Sequence, residues 1–138
     1  SFNFMKINYA LVSRALIALL FVVAGINKIM GFEGTVGYVD SLGVPMATLA
    51  TILVIVIEIP VALMFVFCPK KICWTGGILI GFTLLATILA HNPWAANVDP
   101  MAFKNVMTAA LKNIAIIGGI AASIVACECE NCKVRKNK

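Results

Sequence analysis

Apolar and polar positions alternate in long blocks along the chain. Four apolar stretches, about residues 10–30, 46–67, 72–90 and 101–126, are separated by short polar connections. An α-helix needs roughly 20 apolar residues to cross the hydrocarbon core of a bilayer, so the pattern predicts an all-α bundle of four membrane-spanning helices. Residues 31–45 are too polar and glycine-rich to cross, yet Phe32, Val36, Val39 and Leu42 recur at helical spacing. They predict a short interfacial helix between the first two spans, ended by Gly43 and Pro45. The other connections are a tight basic turn from Cys68 to Cys73 and a polar loop from His91 through Asp99 and Pro100, with Trp94 as an interface anchor. Residues 1–126 are therefore expected to form one membrane domain. Residues 127–138 are expected to form a cysteine-containing basic tail, mobile at its end.

Composition sharpens this picture. Of 138 residues, 62% are hydrophobic and 12% charged, with a mean hydropathy of +1.01; the soluble norm is about 25% charged. No room is left for a separate soluble catalytic domain. Lys6, Arg14 and the apolar run 15–24 imitate a secretory signal, but this segment is expected to stay as the first helix of the bundle.

The net charge of +5 does not argue for a nucleic-acid partner, because the basic residues sit at helix ends and in the tail, not along an amphipathic face. Lys6, Arg14, Lys70, Lys71, Lys133, Arg135, Lys136 and Lys138 share the face of both termini, against Lys28 and Lys104 on the other. The positive-inside rule then places both termini in the cytoplasm, next to anionic lipid.

Polar residues inside the spans carry the candidate chemistry. Glu58 is the only ionisable residue in the second apolar run, and a charge at membrane depth costs at least about 2.5–3.5 kcal/mol on insertion scales. It needs a partner, a proton or a polar cavity. Pro60 lacks an amide hydrogen and should free the Val56 carbonyl, kinking the helix beside Glu58. At about 1.5 Å rise per residue, Arg14 and Lys112 lie at depths from which both can approach Glu58. An Arg14–Glu58–Lys112 network with Asn113 is expected. Such a set either lines a pocket for a polar head group, a quinone or a lipid, or fixes helix register without chemistry. Two cations around one carboxylate would favour an anionic or carbonyl-bearing ligand. His91 can exchange protons near neutral pH but is also explained as an interface anchor, and Lys28 as a snorkelling residue. Gly77-x-x-x-Gly81 and the small residues from Gly118 to Ala122 permit close helix contact, within the bundle or in a homo-oligomer.

The five cysteines, Cys68, Cys73, Cys127, Cys129 and Cys132, fall on one face of this topology. They supply enough thiolates for a zinc site, an iron–sulfur cluster or exchangeable disulfides. Their spacing matches no strong zinc signature, and reduced membrane-edge thiols or palmitoylation sites are the plainer alternatives.

One ordered series of motifs goes further. It consists of Arg14 entering the first span, Phe-Val-Val-Ala-Gly-Ile-Asn-Lys-Ile at 21–29, Tyr38 followed by Leu42-Gly43-Val44-Pro45, and Val-Ile-Glu-Ile at 56–59. Leu-Leu-Ala-Thr-Ile-Leu-Ala-His at 84–91 and Leu-Lys-Asn-Ile-Ala-Ile-Ile-Gly-Gly at 111–119 complete it. Over about residues 10–125 the chain resembles the DoxX family of small four-helix membrane proteins. The resemblance implies that Arg14, Lys28, Glu58, His91, Lys112 and Asn113 are the family's polar positions. The family's usual glycine after the second span is replaced by Cys68, and the cysteine-bearing tail lies outside the shared pattern. Relatives are linked to thiosulfate:quinone oxidoreductase systems and to membrane complexes that handle oxidative and thiol stress; distant look-alikes act in membrane-protein assembly. The implied role is a membrane subunit supporting quinone- or thiol-linked redox chemistry in a larger complex, with other membrane or soluble proteins docking on the cytoplasmic face. An accessory subunit fits better than a complete enzyme, since the chain carries no nucleotide-binding loop and no pair of haem ligands. A scaffold that organises a membrane is the alternative, and a transporter is a third reading. The implied location is a cell inner or plasma membrane, or the internal membrane of a large virus.

Overall fold

The computed structural model describes residues 9–90 and 99–136, with side chains described as far as Cys127. Lys6, His91, Trp94 and the side chains of Cys129 and Cys132 lie outside the described residues. The helices are α1 (Tyr9–Met30), α2 (Phe32–Ser41), α3 (Ala47–Phe67), α4 (Pro69–Ala90) and α5 (Pro100–Lys136). α1, α3, α4 and the Pro100–Cys127 part of α5 are each long and apolar enough to cross a membrane. The protein is a multi-pass membrane protein.

Each span buries one stripe and gives the rest of its surface to lipid. The stripe is Arg14, Ala18, Phe21 and Gly25 on α1, Ile72, Gly76, Leu79 and Thr83 on α4, and Ile120, Ser123 and Cys127 on α5. The spacing of three and four is that of a helix face. Phe65, Leu79 and Ile120 meet at the centre with no exposed surface, and the Phe21 and Phe82 rings pack at a tilt with centroids 6.5 Å apart. Leu16, Leu19 and Leu111 point outward, where hydrocarbon is their solvent. Buried hydroxyls are satisfied within their own helices. Thr51 donates to the Ala47 carbonyl, Thr75 to Lys71, Thr83 to Leu79 and Thr87 to Thr83, the usual way a hydroxyl is tolerated away from water.

α2 ends as the sequence suggests. Gly43 adopts a left-handed φ of +79°, which a residue with a Cβ adopts only with strain, and its amide donates to the Asp40 carbonyl. α2 then packs along α3. Near the middle of α3 the backbone widens into a π-helical turn, Ile57–Val61, containing Glu58 and Pro60. Pro60 has no amide to give, and its ring would collide with the Val56 carbonyl in an ordinary α-turn. Widening the turn removes the collision.

α5 runs unbroken through Cys127 to Lys136. The Gly77-x-x-x-Gly81 motif permits close contact but mediates none among the described residues: a Cβ at either glycine would meet nothing within 4 Å. The contact glycine is Gly76, where a Cβ would lie 2.6 Å from Ile124 Cδ1 and 2.9 Å from Cγ1. One residue turns a helix by about 100°, which separates the packed face from the lipid face. Gly77→Ala is expected to leave stability unchanged or raise it by up to about 1 kcal/mol through helix propensity. Gly76→Ala is expected to lower it by about 1 kcal/mol, the low end of overpacking, since Ile124 can partly give way. Thermal unfolding of the two variants in one detergent compares them directly.

Candidate functional site

Glu58 is 4% exposed and is brought to its place by two local features. The π-turn rotates its side chain toward α1, and Gly25 lets α1 approach. A Cβ on residue 25 would lie 2.5 Å from Ile59 Cγ1 and 3.2 Å from Glu58 Cβ. One turn further along α1, Lys28 Nζ donates to Glu58 Oε1 at 3.0 Å. The ion pair joins the two helices beside the close contact at Gly25. Glu58 Oε2 is buried and has no hydrogen-bond partner among the described residues.

The pair forms part of the wall of a cavity of about 740 Å³. α1 contributes Phe21 and Ala24, α2 contributes Tyr38 and Val39, α3 contributes Val54, α4 contributes Phe82 and Ala86, and α5 contributes Asn113 and Ile116. The lining is mostly apolar, with Lys28, Glu58 and Asn113 as its main polar groups. Asn113 Nδ2 donates to Thr87 Oγ1 at 2.9 Å, which ties α5 to α4 across the far wall. A large apolar cavity with a few fixed polar groups is the general form of a small-molecule site.

The expected Arg14–Glu58–Lys112 network is not formed. Gly25 sits at the level of Glu58, and Arg14 is about three turns, or 16 Å, away along α1. Arg14 is buried at the other end of the bundle, where its Nη1 donates to Cys127 Sγ at 3.6 Å. Cys127 Sγ in turn donates to the Pro69 carbonyl at 3.8 Å. Ser13 and Ser123, whose hydroxyls are 3.2 Å apart, hold α1 to α5 beside this point. Lys112 is on the exposed face of α5, one position and about 100° from Asn113. Lys28, one of the polar positions implied by the family resemblance but left out of the expected network because snorkelling also explains it, is the partner of Glu58. Its place near the end of α1 hid this, because a lysine stem of four methylenes reaches a full turn inward as readily as outward.

Three of the cysteines have described side chains. Cys127 packs against the 68–71 turn, Cys68 is half-buried and Cys73 exposed. No three His, Cys, Asp or Glu side chains among the described residues come together as a metal site requires. The Arg14–Cys127–Pro69 contacts bring the start of α1, the α3–α4 turn with Lys70 and Lys71, and the end of the fourth span to one end of the bundle.

Comparison with known proteins bears on this arrangement. A sequence model of the DoxX family matches residues 9–92, which include Lys28 and Glu58. Inner membrane protein YphA of Escherichia coli (strain K12) is 35% identical over 110 residues, covering 78% of this chain and 75% of YphA. Inner membrane protein YqjF of the same organism is 34% identical over 109 residues, covering 79% of this chain and 76% of YqjF. No solved structure matches the chain.

Proposed function

The chain belongs to the DoxX family, and from that premise we propose that its cavity holds the polar head of a membrane-soluble ligand of the quinone class, a lipid head group being the other candidate. In this reading the protein is the membrane subunit of a redox system whose electron-carrying centres lie on partner proteins. The observation that carries it is the Lys28–Glu58 pair on the wall of a 740 Å³ apolar cavity. An ammonium has three donors; one holds Glu58, and the others are available to a ligand oxygen. The apolar walls from α1, α3 and α4 suit a ring and its tail. Glu58 keeps the ammonium turned inward, toward the cavity.

The basic residues Arg14, Lys70 and Lys71 at one end of the bundle support placing that end in the cytoplasm, and the names of the two Escherichia coli relatives support an inner membrane. Partner subunits would then dock on that face.

Native purification in polymer-bounded nanodiscs tests the reading. The wild type is expected to retain close to one quinone per chain, and Ala86→Phe, which fills the cavity from α4, to retain several-fold less. A quinone content that merely tracks the bulk membrane in both proteins would overturn the pocket and leave the scaffolding alternative.

A further inference from the structure

The carboxylate of Glu58 is half satisfied. Oε1 accepts from Lys28 at 3.0 Å, while Oε2 is buried without a partner among the described residues. None of the polar groups on the cavity wall donates to it: Thr83 gives its hydroxyl hydrogen to the Leu79 carbonyl, Asn113 gives an amide hydrogen to Thr87, and neither the Tyr38 hydroxyl nor the second Asn113 hydrogen is bonded to Oε2. A carboxylate paired with an ammonium only accepts. What is missing at Oε2 is therefore a donor, and Lys28 beside it still offers N–H groups to an acceptor.

We propose that the cavity selects ligands whose head group carries a hydroxyl, so that it binds a quinol or phenol in preference to the corresponding quinone or ether. This rests on the pocket reading above and adds the chemical state of the ligand. A single hydroxyl answers both groups: its oxygen accepts from Lys28, and its hydrogen goes to Glu58 after a small turn of the carboxylate. A carbonyl answers only Lys28 and leaves a buried oxygen unpaired. Sites built around a hydroxyl reject analogues that lack it, because their own polar groups are then left without partners. The hydroxyl has two possible sources in a membrane, a reduced quinone or a glycerol-based lipid, and the chemistry at Glu58 is the same for both.

The test uses the full chain in nanodiscs and does not depend on a variant folding. Binding is measured for a 4-alkylphenol and for its methyl ether, which match in shape and differ in the donor. The same is done for a short-tailed benzoquinone and its quinol, kept reduced without oxygen, and for a monoacylglycerol. The phenol is expected to bind at least about tenfold more tightly than the ether, and the quinol than the quinone. In Glu58→Gln the amide supplies a donor where the carboxylate lacked one, so both preferences are expected to vanish or invert. If the monoacylglycerol binds most tightly and keeps its dependence on Glu58, hydroxyl selection stands and the ligand is a lipid. Equal binding of phenol and ether overturns the selectivity and leaves the pocket standing. Absence of binding by every probe overturns both.

Discussion

Lys28→Met is expected to destabilise the bundle by about 3 kcal/mol, because it leaves the Glu58 carboxylate buried with no cation. Breaking a buried pair from one side costs about 3–5 kcal/mol, and the lower end applies since the Lys28 side chain is 30% exposed against 6% for Glu58. The double variant Lys28→Met/Glu58→Leu is expected to recover most of the loss, because a buried pair exchanged for apolar side chains of similar volume is often neutral. The two variants thus separate folding from ligand binding: the double variant should fold and should not retain the ligand. Unfolding titrations in detergent, with the ligand content of the same preparations, measure both. A Lys28→Met protein as stable as the wild type would mean that Glu58 does not depend on this cation.

Gly25→Leu is expected to cost about 3 kcal/mol, the upper end of overpacking, and to abolish ligand retention. The reason is geometric: α1 and the π-turn of α3 touch at this residue, where even a Cβ would collide with Ile59. A larger side chain pushes α1 away and carries Lys28 with it. Ile59→Ala in the same chain removes the nearest obstacle and should return part of the stability. Gly118→Ala, placed where a Cβ meets nothing within 4 Å, should have no such effect. A Gly25→Leu protein that keeps wild-type stability and ligand content would show that the close approach is dispensable.

The architecture was legible because the membrane imposes it. Apolar runs of the right length can only be spanning helices, and Gly43 with Pro45 marks the end of α2. Glu58 stood out because a carboxylate in hydrocarbon demands an explanation. Its partner was not legible. Helical rise gives depth along an axis, and depth alone put Arg14 and Lys112 within reach. The choice among them depends on which way each side chain turns and on the direction of its stem, which tertiary packing decides. Arg14 turns toward Cys127, and Lys112 lies about 100° round α5 from Asn113, on the exposed face. The same limit explains the glycines: Gly76 and Gly77 are equivalent in composition and differ by one step of helical rotation. Pro60 announced a distortion. That the helix would widen into a π-turn, rather than open into a kink, was not legible, because either form relieves the collision of the proline ring.

The ion pair also sets conditions on how the chain is built into the membrane. Lys28 belongs to a span synthesised before the one that carries Glu58. When the first helix inserts, its lysine lies close enough to an aqueous surface to stay hydrated. The second helix would bring in a carboxylate near its middle, at a cost of about 2.5–3.5 kcal/mol if it inserted alone. Entering against a helix that already presents the cation lowers that cost, so the two spans are best inserted as one hairpin, with the connecting helix α2 following them into place. A lysine that looks peripheral in the finished protein is, during biosynthesis, the receptor for the segment that follows it.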